Sequence, residues 1–183
     1  MNKMLAKYLW PEEPGLGKLW MILDAARNPE IFNLVGRSYQ EKCCLYAGEL
    51  APEIARVAPY LVEVEMTDWF TKDLFSKGWG DSWGILFRAQ TDMATLRRHF
   101  RRFLMAAGPD GKKLLFRYYD PRVWRAYLPT CAPDELQYVF GPVKVFACEG
   151  EEPDEILEFR FDGSRLDRRV VKLAGLGSAV RVH

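Results

Sequence analysis

Three stretches carry residue types that could do chemistry. Residues 117–130 read RYYDPRVWRAYLPT and crowd arginines, rings and a single aspartate into one short segment. Residues 78–84 read GWGDSWG, with Asp81 between Trp79 and Trp83. Residues 96–104 read LRRHFRRFL and hold one of the two histidines, His99; the other is His183 at the end of the chain. A nucleophile–base device would depend on His99, which stands among arginines with no carboxylate beside it in sequence, so it reads as a histidine on a solvated helix face. The cysteines, Cys43, Cys44, Cys131 and Cys148, show no CxxC spacing and suggest neither a zinc site nor a disulfide framework. GLGK at 15–18 lacks the spacer and Ser/Thr of a phosphate loop, and GWGDSWG lacks the GxGxxG spacing. GLGSAV at 175–180 comes too late for a following helix. No catalytic residue, metal ligand or cofactor is assigned.

Those residues must be positioned by a fold, and the chain suggests its class. KLWMILDA (18–25), KCCLYA (42–47), YLVEV (60–64) and the run 85–87 read as strands. Between them, Pro29 to Gly36, Ala51 to Ala58 and Asp68 to Ser76 read as short helices, the last behind an Asp N-cap. Alternation of this kind gives an α/β fold: a mixed sheet of about six to eight strands with flanking helices in a single compact domain. The clearest helix is expected from Thr91 or Asp92 to Ala107, with Leu96, Phe100, Phe103, Leu104 and Ala107 on one face and Arg97, Arg98, Arg101 and Arg102 on the rest. After a turn at Asp110-Gly111, KKLLFRYY is expected as a strand with Leu114, Phe116 and Tyr118 on one side and Leu115, Arg117 and Tyr119 on the other. Leu114 and Phe116 are assigned to the core. Asp120 followed by Pro121 is a helix start: the carboxylate accepts orphan N–H groups and the proline presets φ. A further helix from Pro133 to Gly141, a strand to Cys148, and a hairpin turning at Asp162-Gly163 complete the chain. The organisation reads as an extension over 1–17, an α/β domain over 18–148, and an acidic turn, hairpin and loose tail over 149–183.

Composition excludes whole classes. A hydrophobic fraction of 49% and a net charge of +1 in 183 residues are those of a globular protein rather than a disordered one. No run reaches the roughly eighteen apolar residues of a membrane span. The N-terminus lacks a secretory pattern, so a cytoplasmic location with reduced thiols is expected. Neutrality hides polarity: Arg88 to Arg125 hold ten basic residues against three aspartates, and Glu149 to Asp162 hold seven acidic residues against Arg160 alone. Such a dipolar chain can steer a charged partner.

The ordered set LYAGEL, APYLVEVE, GWGDSWGILFR, LRRHFRRFL, FRYYDPRV, LPT and FGPV, spanning about Leu19 to Val145, resembles the adaptor or chaperone proteins encoded beside the spike protein VgrG in bacterial type VI secretion clusters, the Tap/Tec adaptors. The resemblance implies a non-enzymatic cytoplasmic protein that holds a toxic effector and helps load it onto VgrG. Such adaptors often carry a longer C-terminal helical lobe. Trp79, Asp81, Trp83, Arg97, Arg98, Arg101, Arg102, Arg117, Tyr119 and Arg122 form the candidate partner-binding set, with Asp120 and Pro121 as structural residues. A basic nucleic-acid-binding module and an enzyme with an unrecognised carboxylate site are the competing readings.

Overall fold

The computed structural model describes residues 3–11, 15–108 and 110–173, with the backbone of 180–181. His183, most of GLGSAV and Pro109 lie outside the described residues.

The central element is β1 (Lys18–Asp24), whose residues after Lys18 are all buried. Its side chains alternate between two cores: Trp20 and Ile22 enter one, while Leu19, Met21 and Leu23 enter the other. A strand dressed on both faces needs a layer on each side. The first core lies under α5 (Met93–Arg101), α6 (Pro121–Tyr127) and α7 (Pro133–Phe140). The second lies under α1 (Lys3–Leu9), α2 (Pro29–Arg37) and α4 (Trp69–Gly78); the short α3 spans Pro52–Ala55 and has no buried residue.

The remaining strands of this sheet are β2 (Lys42–Cys44), β3 (Pro59–Glu63), β4 (Gly84–Ala89), β7 (Val143–Glu149), β8 (Glu155–Phe161), β9 (Leu166–Lys172) and β10 (Val180–Arg181). The sheet order is β10-β9-β8-β7-β4-β1-β3-β2, so the fold is the α/β type expected, with eight strands and flanking helices. Every pairing in it is antiparallel. The mixed sheet expected from strand–helix alternation is corrected to an antiparallel one: α2 returns the chain to β2 in the direction of β1, but β3 then inserts between them. Leu5 and Leu9 are core residues, and β8 and β9 continue the same sheet as β7.

The helix expected to reach Ala107 stops at Arg101. Residues Met105–Ala107 form β5 instead, paired with β6 (Lys113–Leu115) in a separate two-stranded sheet. The spacing of Phe100, Phe103 and Leu104 fits a helix and a chain leaving one equally well. The turn decides: Gly111, at φ 76°, lets the Gly108 N–H donate to Lys112 O at 2.8 Å. The KKLLFRYY strand is correspondingly short, and Leu114, assigned to the core, is exposed. Phe116 is partly buried against the first core. Tyr118 and Tyr119 are both buried, because the Asp120 N–H to Arg117 O bond turns the backbone and ends the alternation of sides.

Candidate functional site

Four of the polar residues singled out by the sequence, Asp81, Arg117, Asp120 and Arg122, lie at one end of the sheet. β1 ends there at Asp24, β4 begins at Gly84 and β7 ends at Glu149, and the Asp24 N–H bonds Trp83 O at 2.8 Å. Asp24 is fully buried. Arg117 reaches it from the segment before α6, its Nε 3.1 Å from Asp24 Oδ2 and its Nη2 closer still. Burial pushes the Asp24 carboxyl up, and the Arg117 guanidinium and Ala26 N–H pull it back only in part. Asp120 caps α6 as expected, its Oδ1 accepting the Arg122 N–H at 2.9 Å, while Arg122 Nη2 lies 2.7 Å from Oδ2. Burial of Asp120 opposes its ionisation, yet these bonds hold its carboxyl below the ordinary value. Pro121 occupies the first turn of the helix.

The GWGDSWG loop closes the same end. Asp81 accepts the indole N–H of Trp83 at 2.8 Å and pairs with Arg27 at 3.1 Å; the indole bond comes first among the causes that lower its carboxyl. Glu149 accepts the Ser82 N–H at 3.0 Å, and its backbone carbonyl takes a bond from Arg125 at 2.8 Å. Burial pushes the Glu149 carboxyl up. The glycines at the two ends of this loop are required by close approach. A Cβ on Gly78 would stand 2.4 Å from the Trp83 ring, and one on Gly84 would stand 2.0 Å from Ile22 O. The motif is therefore the seat of a buried tryptophan.

Chemically, this end is a set of clasps. Asp24 ties β1 to the entry of α6, Asp81 ties the loop to the segment after β1, and Glu149 ties β7 to the loop. Each carboxylate is held by an arginine or by N–H groups. The thiols are also unprepared for nucleophilic work, since burial pushes Cys43 up to about 11 and Cys148 up to about 12. All four cysteines are free; Cys148 is buried and the other three are half-buried.

The candidate partner-binding set is divided by this geometry. Trp83 and Tyr119 are buried and offer no surface; the hydroxyphenyl ring of Tyr119 packs against Tyr118. Trp79 is half-buried against Phe75. Arg97 is a structural tie, donating to Cys44 O at 3.0 Å and Tyr46 O at 3.2 Å. Arg117 and Arg122 serve Asp24 and Asp120. Arg98 and Arg102 are exposed, Arg101 is half-buried, and Arg102 lies 4.9 Å over the Tyr138 ring. The basic lobe is also split, because Arg88 faces the opposite layer, where it donates to Gly17 O at 3.0 Å and to Leu9 O. On the acidic side, Glu149 and Glu158 turn inward.

His99 is not on a solvated face. It is 2% exposed, with Nε2 2.9 Å from Val139 O and Nδ1 2.9 Å from Arg102 Nη2. Nε2–H donates and Nδ1 accepts, which uses both nitrogens of the neutral ring. Burial lowers its pKa to about 4. Sequence reasoning placed this ring by the charges beside it on α5 and missed α7, which covers it. It also gave no role to Arg27 or Glu149; a lone acid at the end of an apolar strand is the signal that Asp24 and Glu149 share.

A model of the family described as "Domain of unknown function (DUF4123)" matches residues 19–138. The chain belongs to the DUF4123 family. No curated protein and no solved structure matches it. The DUF4123 match runs from β1 into α7, and so contains Asp24, the Trp83 loop, Arg117 and Asp120, while Glu149 and the strands that complete the sheet lie beyond it.

Proposed function

We propose that this DUF4123 protein is a non-enzymatic adaptor that binds a type VI secretion effector and helps load it onto the VgrG spike. The observation that carries this reading is the ordered set of adaptor-like motifs, from LYAGEL to FRYYDPRV, inside the residues that match the family. The clasps support it. The acids and arginines at the end of the sheet hold elements in place, as a rigid docking body requires, rather than pointing unpartnered groups into a substrate cleft.

Co-expression with the product of a neighbouring effector gene, followed by affinity capture, tests the proposal. A stable complex is expected, together with an effector that is poorly soluble or poorly delivered in its absence. Two outcomes would overturn it. One is failure to associate with any neighbouring effector or with VgrG while the folded protein retains nucleic acid. The other is a turnover abolished by Asp24→Asn, which would make the buried carboxylate cluster an active site.

A further inference from the structure

The β5–β6 hairpin is open on both faces. Met105, Leu114 and Leu115 are 50%, 52% and 48% exposed, and Tyr138, joined to the hairpin's base through the Phe103 ring at 5.1 Å, is 50% exposed. Met105 and Leu115 are cross-strand partners and share a face; Leu114, opposite Ala106, lies on the other. An apolar ribbon displayed this way marks a contact surface.

Its backbone is equally available. Gly108 N–H bonds Lys112 O, and Phe116 N–H bonds Leu104 O, which sets the alternation of the ladder. Gly108–Lys112, Ala106–Leu114 and Leu104–Phe116 are then the bonded pairs. The N–H and C=O groups of Met105, Ala107, Lys113 and Leu115 point away from the partner strand, toward the open edges.

Charge selects the kind of partner. From Arg98 to Lys113 there are five cationic side chains, and the one acid, Asp110, is paired with Lys112 at 2.9 Å. Arg98 and Arg102 are exposed next to the hairpin's base. A second copy of this chain would bring the same cations against them. A nucleic acid would satisfy the charges and leave the apolar side chains wet.

We propose that the β5–β6 hairpin takes up an extended, acidic and apolar segment of a partner protein as an added strand. Alternate apolar side chains of that segment cover Met105 and Leu115, and its carboxylates meet Arg98, Arg101 and Arg102. This rests on the adaptor reading and specifies the chemistry of its client.

The test uses the full chain and a fluorescent peptide of alternating Glu and Val, with alternating Lys and Val, polyglutamate and a single-stranded oligonucleotide as comparators. The Glu-Val peptide should bind most tightly, and a variant carrying Met105→Glu and Leu115→Glu should lose about tenfold or more in affinity at unchanged melting temperature. Arg98→Glu with Arg101→Glu should weaken binding and flatten its salt dependence. Ala107→Pro and Lys113→Pro each delete one outward donor while keeping the internal ladder, so one of them should abolish binding and identify the edge. Should the double Glu variant misfold, the proline pair still decides. Equal binding by all variants, equal binding of polyglutamate or oligonucleotide, or no peptide binding would overturn the proposal. Effector capture by a hairpin variant at wild-type strength would sink the hairpin and leave the adaptor function standing. Peptide binding without any effector complex would do the reverse.

Discussion

The two ends of the segment that leaves α5 have opposite characters. At the hairpin, residues 105–107 and 113–115 are exposed along both strands. A few residues later, at the junction with α6, Tyr118, Tyr119 and Asp120 are buried and Arg117 is locked onto Asp24. The junction is unusual in sequence and closed in structure; the hairpin is plain in sequence and open in structure. Rare residue patterns record demanding packing, such as Gly78 seating the Trp83 indole and Gly84 making room for Ile22 O. A binding edge needs only short apolar residues and free backbone, which leave little trace in composition.

The sharpest test of this contrast is Trp83→Ala. The indole is 2% exposed, wedged on Gly78, and bonded to Asp81. Its removal should cost about 3–5 kcal/mol, measured by chemical denaturation. A loss below about 1 kcal/mol, with binding impaired, would return this loop to the surface set and erase the contrast.

His99 gives the next largest effect, through pH. Its folded pKa is about 4, against an ordinary 6.5. Between those values the unfolded chain holds the extra proton, so stability is fully present above 6.5 and falls as the pH drops toward 4. The slope should approach roughly 1.4 kcal/mol per pH unit. Asp24 and Glu149, whose carboxyls are pushed up, contribute with the opposite sign, so the informative quantity is the difference in slope between wild type and His99→Asn. Equal slopes would mean that the ring is solvated after all.

These cases show what the sequence could carry. The strands of the sheet, the caps at Asp68 and Asp120, and the hairpin of β8 and β9 were legible because local chemistry decides them: a carboxylate before a helix, alternation along a strand, a turn at Asp162-Gly163. The ring of His99, the clasp of Arg117 on Asp24 and the split of the basic lobe were not, since each depends on contacts between residues 40 to 93 positions apart. The end of α5 failed for a third reason: one apolar spacing fitted two structures, and a glycine turn beyond it chose.

Asp120→Ala should destabilise the fold by about 0.5–2 kcal/mol, the range for losing an N-cap. The Arg122 pair adds little, because the Arg122 side chain is 53% exposed. The effect should appear in thermal unfolding of the isolated protein. Intact stability with loss of a partner complex would move Asp120 from the closed region to the open one.

The smallest expected effect lies at the hairpin, and it bears most directly on the contrast. Met105→Ser with Leu115→Ser removes two apolar side chains that are already about half in water. A two-stranded ribbon gains little from such a pair beyond its cross-strand contact, and serine lowers strand preference only modestly. The two changes together should therefore alter stability by about 0.5 kcal/mol or less, a shift of about 2 °C or less in melting temperature for a chain of this size. Binding of the Glu-Val peptide should fall far more than stability, because those side chains become fully buried only when a third strand covers them. A large stability loss would show that the ribbon is packed in solution and that its exposure is not available to a partner. A small stability loss with unchanged peptide affinity would leave the open edge without a role for its apolar residues, and charge alone would have to account for the binding.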